Sequence, residues 1–284
     1  MMWHELRTGM HMRRPLATAV VIAAALTLSG CGAGTSGSSE SETSTTPTPS
    51  MTARSGSVEV DGATLAYSCT GEGEPAVMLE AGTESAGTQS FPPAFIAPIA
   101  EVTTVCTYNR LGTGAGSDAA PDRARSLDDL IVVLDGVLEG LDLDPPYVMS
   151  GQSGGGNIAI AYAEAHPDRV AALATIEAYH DDPAMMMAEQ AEGEFSWEDT
   201  PEHMDWVQAS VEQDAYTMPI GEFPVLVISA TQADPGGPEN QAYWLGLSPD
   251  SRQVVIEGPH DIQETAPEEV AAEIVDLVAG LESR

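Results

Sequence analysis

The strongest chemical signal in the sequence is the stretch Tyr147-Val148-Met149-Ser150-Gly151-Gln152-Ser153-Gly154-Gly155-Gly156-Asn157. An apolar, strand-like run breaks into Gly-x-Ser-x-Gly and passes at once into a helical pattern over 157–166. So sharp a turn holds Ser153 in a strained conformation and leaves no room for side chains at 151 and 155. It also lifts the serine Oγ to the tip of a sheet, at the positive end of the following helix, with the Gly154 N–H free to bind a developing oxyanion. A serine hydroxyl is a poor nucleophile at neutral pH. It needs a histidine to take its proton and a carboxylate to fix the imidazole tautomer. His260 stands just after the strand-like 253–256 and before a helical pattern over 265–281. Asp234 follows the strand-like 225–229 and is succeeded by Pro235-Gly236-Gly237, which turns the chain sharply. One strand and its connection separate Asp234 from His260, so their loops can meet at one edge of a sheet, and Asp234 is the expected acid. Glu177, after 171–176, is the alternative acid, or else an acid outside the reacting set at the entrance to the next segment.

Several elements must position these residues. Short strands are expected over 58–60, 65–69, 76–80, 103–108, 147–150, 171–176, 225–229 and 253–256, alternating with helices after the first two. Ser126 with Asp129 three residues on caps a helix whose apolar stripe runs Leu127, Leu130, Ile131, Leu134, Val137, Leu138 and Leu141. This order predicts an α/β fold with a mostly parallel sheet and helices on both faces. The segment 76–80 opens into Ala81-Gly82-Thr83, where the Thr83 N–H is the candidate second oxyanion donor; a plain glycine turn is the other reading. The segment Tyr108-Asn109-Arg110-Leu111-Gly112-Thr113-Gly114-Ala115-Gly116-Ser117 lacks the Gly-Lys-Ser/Thr ending of a phosphate loop. Arg110 reads there as structural.

These motifs together, over nearly all of residues 55–284, resemble the α/β-hydrolase fold superfamily. Asn109 stands where the superfamily's Tyr-Asp-Arg-x-Gly-x-Gly-x-Ser segment has Asp, and Ala81 stands where many members have His. The resemblance implies a small helical cap after the sixth strand, at about 178–221. It also implies the chain order Ser153, Asp234, His260 for a catalytic triad, with Gly154 and Thr83 as the oxyanion hole. The cap region is rich in methionine and aromatics, including Met185 to Met187, Phe195, Trp197, Met204 and Trp206. They suit an adaptable apolar pocket, or simply glue the cap to the core.

Residues 1–30 do not belong to the fold. Arg13 and Arg14 precede the apolar run 16–28, which is shorter than the roughly 20 residues needed to span a bilayer, and Leu28-Ser29-Gly30-Cys31 ends it. This resembles a bacterial lipoprotein signal peptide with its lipobox. The resemblance implies cleavage before Cys31 and a diacylglyceryl group on its thiol, so the protein would be exported and lipid-anchored to the bacterial cell membrane, facing outside the cytoplasm. An ordinary secretory signal is the alternative. Residues 31–54 form the lipidated N-terminus and a flexible Ser/Thr/Pro linker too poor in apolar residues to fold. A linker of this kind spans roughly 25 Å.

Residues 55–284 suit one domain. The chain has formal net charge −34, and loss of residues 1–30 removes Arg7, Arg13, Arg14 and Glu5, leaving about −36. Such a surface repels nucleic acid. The sequence contains no lysine, which excludes a Ser-Lys dyad. Cys69 and Cys106, at the ends of neighbouring expected strands in an exported chain, invite one disulfide. Two cysteines with no nearby histidine lack the ligands of a metal site. The resemblance therefore implies a membrane-anchored serine hydrolase acting on a small-molecule substrate, with carboxylic esters the leading class and no metal or organic cofactor. A peptidase or lactonase on the same triad, or a binding lipoprotein that has lost catalysis, are the alternatives.

Overall fold

The structure, a computed structural model, describes residues 52–232 and 236–281. Cys31, the signal and linker segments up to residue 51, and Asp234 lie outside the described residues. The elements follow in the order β1 (Ala53–Val60), β2 (Ala63–Thr70), β3 (Val77–Glu80), α1 (Gly87–Ser90), α2 (Pro93–Ala100), β4 (Val105–Tyr108), α3 (Leu127–Gly140) and β5 (Tyr147–Gln152). Then come α4 (Gly154–Ala165), β6 (Val170–Ile176), α5 (Pro183–Ala191), α6 (Trp206–Asp214), β7 (Val225–Ala230), α7 (Pro238–Gln241), β8 (Ser251–Ile256), α8 (Ile262–Thr265) and α9 (Pro267–Leu281).

Eight strands form one sheet in the order β1-β2-β4-β3-β5-β6-β7-β8. β1 and β2 form an antiparallel hairpin that pairs antiparallel with β4, and every later pairing is parallel. The inner parallel strands are buried on both faces, which is why β3, β4, β5 and β7 are buried at every position, whereas β8 at the sheet's edge is partly exposed. Their side chains alternate between two cores. Met78, Met149, Leu173 and Val227 face α3 and α4, while Leu79, Val148, Ala174 and Ile228 face α2 and α9. Buried aliphatic side chains of this size contribute about 1.5–3 kcal/mol each relative to exposure.

The start of α3 shows how sequence sets an element. Ser126 Oγ accepts the Asp129 N–H at 3.2 Å, and the Asp129 carboxylate accepts the Ser126 N–H at 3.0 Å, a reciprocal cap. Hydrogen bonds from Arg123 hold the Asp129 carboxyl down at about 2. At the sheet's antiparallel edge, Cys69 and Cys106 face each other across β2 and β4 and form a disulfide, with Cα atoms 4.1 Å apart. The insertion between β6 and β7 carries α5, a short turn at Trp197–Asp199 and α6. No helix among the described residues is long and apolar enough to cross a membrane.

Candidate active site

Ser153 stands between the last residue of β5 and the first of α4, with φ 53° and ψ −129°. That backbone region is costly for a residue with a side chain and is held only where the surroundings over-determine it. Here its N–H is fixed by the Ile176 carbonyl at 2.9 Å, and its carbonyl by the Gly156 N–H at 2.8 Å. The glycines explain the sharpness of the turn. A Cβ at 151 would overlap the Gly155 carbonyl, and one at 155 would overlap the carbonyls of Glu80 and Ala81. The strand end and the helix start therefore approach backbone to backbone.

The loop after β3 closes over this turn. A Cβ at Gly82 would stand 3.5 Å from the Ser153 Cβ, and one at Gly154 would collide with the Thr83 hydroxyl. The two expected oxyanion residues, Thr83 and Gly154, are thus neighbours beside Ser153. The Gly82 carbonyl accepts a hydrogen bond from Arg110 Nη2 at 2.7 Å. In a planar trans peptide the N–H points opposite to the carbonyl, so the Thr83 N–H is directed away from Arg110. The cap reaches the same place, since the Trp206 ring would lie 2.7 Å from a Cβ at 154. Of the cap methionines, Met186 and Met204 are buried, whereas Met185 and Met187 are exposed.

His260 follows β8 and presents both ring nitrogens to partners. Nδ1 lies 3.2 Å from Glu177 Oε2 and 2.7 Å from the Tyr179 hydroxyl, and Nε2 lies 3.2 Å from the Gln152 amide nitrogen. Glu177 directly follows β6, is fully buried, and adopts a left-handed φ of 53°. Its Oε1 accepts the Ala230 N–H from the end of β7 and the Gln241 amide at 2.8 Å. Asp234, expected as the partner of His260, lies outside the described residues, and among those described the carboxylate at Nδ1 is that of the alternative acid, Glu177. Tyr179 and Gln152 escaped the sequence reading. Gln152 immediately precedes Ser153, a position that could have drawn attention, but nothing in the sequence marks Tyr179. Burial, followed by the charge of Glu177, pushes the Tyr179 phenol well above its ordinary range, so it is a neutral donor.

Arg110 is also more than a turn residue. It is fully enclosed, pairs with Glu202 of the cap segment through Nε at 2.6 Å, and meets Glu80 at 3.3 Å. Among the described residues no cluster of His, Cys, Asp and Glu is arranged to hold a metal ion. A cavity of about 810 Å³ lined by Pro75, Pro146, Val170 and Phe223 lies where strands begin, at the opposite edge of the sheet from Ser153 and Glu177, and has no part in this site.

The sequence profile of the alpha/beta hydrolase fold family matches residues 75–204. Over 107 residues the chain is 31% identical to the Caulobacter segnis protein RutD, assigned as a carbamate hydrolase; the match spans 38% of this chain and 39% of that relative. Solved structures extend the likeness. A membrane phospholipase A described as a bacterial virulence factor superposes with TM-score 0.65 at 20% identity, covering 82% of this chain and 87% of that one. The enol-lactonase of Burkholderia xenovorans LB400 superposes with TM-score 0.62 at 19% identity, covering 79% of this chain and all of that one. Sheet order, the strand-to-helix turn at Ser153 and these matches agree, and the chain has the α/β-hydrolase fold.

Proposed function

We propose that the chain is a serine hydrolase that cleaves carboxylic esters through an acyl-enzyme on Ser153. The observation that carries this reading is a serine in a strained turn at the tip of β5, next in sequence to Gln152, whose amide lies 3.2 Å from Nε2 of a histidine with its Nδ1 held by a buried carboxylate. Ser153 Oγ attacks the ester carbonyl and gives its proton to His260 Nε2, which later returns it to the leaving alcohol. Nε2 faces the Gln152 amide, so that amide has to yield its place to the serine hydroxyl during attack. Glu177 fixes the imidazole with its proton on Nδ1. The N–H groups of Gly154 and Thr83 stabilise the tetrahedral oxyanion, and water activated by the same histidine releases the acid. The names of similar proteins, which speak of carbamate hydrolysis, a phospholipase and a lactonase, support hydrolysis at a carbonyl carbon.

The test is direct. Protein spanning residues 31–284 is expected to hydrolyse a short-chain aryl ester and to react with a fluorophosphonate, and Ser153→Ala is expected to abolish both. Labelling that survives the substitution, or folded protein that neither labels nor turns over, sinks the reading. The same proposal places the protein outside the cytoplasm on a lipid anchor at Cys31, on the strength of the lipobox in the sequence. Acyl chains contribute about 0.8 kcal/mol per buried methylene, so two of them hold a domain on a membrane. Full-length protein should take up labelled fatty acid and fractionate with membranes, and Cys31→Ser should lose both properties.

A further inference from the structure

We propose that Glu202, in the cap, is a positioning residue that holds the oxyanion loop in its working geometry through Arg110, an inference that rests on the serine-hydrolase reading above. The Glu202 carboxylate is fully buried and takes two hydrogen bonds from one guanidinium, Nε to Oε2 at 2.6 Å and Nη2 to Oε1 at 2.9 Å. This is the planar fork for which arginine is suited and lysine is not. The remaining donors of Arg110 point at the loop after β3. Nη1 reaches the Ala81 carbonyl at 2.7 Å, and Nη2 also reaches the Gly82 carbonyl at 2.7 Å. Glu202 Oε1 further accepts the Glu84 N–H at 2.5 Å, and Glu84 has a left-handed φ of 62°. The peptide that carries the Thr83 N–H is therefore clamped on both sides, at 81–82 by Arg110 and at 84 by Glu202.

Charge makes the clamp depend on Glu202. Arg110 is enclosed and needs a fixed counter-charge, because a buried cation left unpaired is strongly destabilising. Glu80 is the other carboxylate in contact, but its Oε1 is buried with no hydrogen-bond partner, and burial raises its carboxyl above the ordinary range. Glu202 makes the closer and two-pronged contact. The segment that carries it is locked against the Arg110 turn, since a Cβ at Gly112 would overlap the Pro201 carbonyl. Arg125, also buried, donates to the Glu202 carbonyl at 3.2 Å and ties down the backbone of the same residue. Through Arg110, Glu202 thereby sets the direction of a donor beside Ser153.

The experiment compares wild-type protein with Glu202→Gln, which keeps the shape of the side chain but cannot accept both guanidinium bonds. Removal of a whole oxyanion donor lowers kcat by about 10²–10³-fold, so a misdirected one is expected to lower it by roughly 10–100-fold. KM for a short aryl ester should stay within about threefold, and the Ki of a trifluoromethyl ketone, which forms the same oxyanion, should rise in step with the loss of kcat/KM. Glu202→Asp should recover part of the loss. If Glu202→Gln does not fold, the charge-free pair Arg110→Gln with Glu202→Gln takes its place, with the same losses expected. A folded variant with wild-type kcat and unchanged ketone Ki overturns the proposal while the hydrolase reading stands. A wild-type chain that neither turns over nor labels overturns both.

Discussion

Glu177, at the end of β6, meets His260 from two strands away across β7, with Oε2 3.2 Å from Nδ1, while its other oxygen is held by the Ala230 N–H and the Gln241 amide. The carboxylate is thus fixed from β7 and α7 as well as by the imidazole. Its left-handed backbone, like that of Ser153 and Glu84, is the kind of strain that persists where surrounding structure demands a particular side-chain direction.

Replacing the acid that fixes the tautomer should leave the fold and the nucleophile intact but lower kcat by up to about 10⁴-fold. This loss is expected for Glu177→Gln. For Asp234→Asn, a change of less than about tenfold is expected. Steady-state ester hydrolysis by the two variants, with fluorophosphonate labelling as a check on Ser153, decides between them. A large loss confined to Asp234→Asn would give the role to the β7 loop.

The elements were readable because burial leaves a periodic imprint. Strands buried on both faces are continuous apolar runs, and seven of the eight expected strands lie within two residues of those found, whereas β1, exposed over its first five positions, begins five residues before the expected 58–60. The Ser126 cap and the Cys69–Cys106 bridge were legible for local reasons, a spaced pair in one case and two neighbouring strands in the other. Choosing between Glu177 and Asp234 was harder, since both follow parallel strands that end at one sheet edge. Turn chemistry favoured Asp234, whereas the hydrogen bonds that hold Glu177 come from residues 53 and 64 positions away. Glu202 left still less trace, because its partner Arg110 is 92 residues distant.

Tyr179 shares Nδ1 with Glu177, its hydroxyl lying 2.7 Å away. A single such bond contributes about 0.5–1.5 kcal/mol net, equivalent to roughly 2–13-fold. Tyr179→Phe should therefore lower kcat within that range and leave KM unchanged, since Glu177 keeps its direct contact. A loss as large as that of Glu177→Gln would mean that the tyrosine governs the tautomer as much as the carboxylate does.

The disulfide closes a loop with a sequence separation of 37 between antiparallel strands at the sheet edge. Loop-closure entropy for such a span corresponds to about 4 kcal/mol, and measured values for disulfides cluster near 2–4 kcal/mol. Replacing both cysteines by alanine should lower the unfolding free energy in urea by that amount while ester turnover at 25 °C persists, because the bridge lies across β2 and β4, away from Ser153. An unchanged urea midpoint would show that strand pairing alone holds the edge.

The last expectation concerns Asp181, two residues beyond Tyr179 where the chain enters the cap. Burial first, and the charge of Glu189 second, push its carboxyl up to about 6 from an ordinary value of 3.8. A group whose folded-state value is raised binds its proton more tightly in the folded chain. Its contribution to stability is full below about pH 3.8 and is lost as pH rises through about 6, beyond which the ionised carboxylate is a constant penalty. Asn cannot ionise, so Asp181→Asn should gain stability over the wild type as pH is raised from 4 to 7, with the gap levelling off above that. Urea midpoints of the two proteins at half-unit pH steps measure the gap. Glu189→Gln should move the rise to lower pH by removing the second cause, whereas a gap that does not vary with pH would place the Asp181 carboxylate in water rather than against the cap.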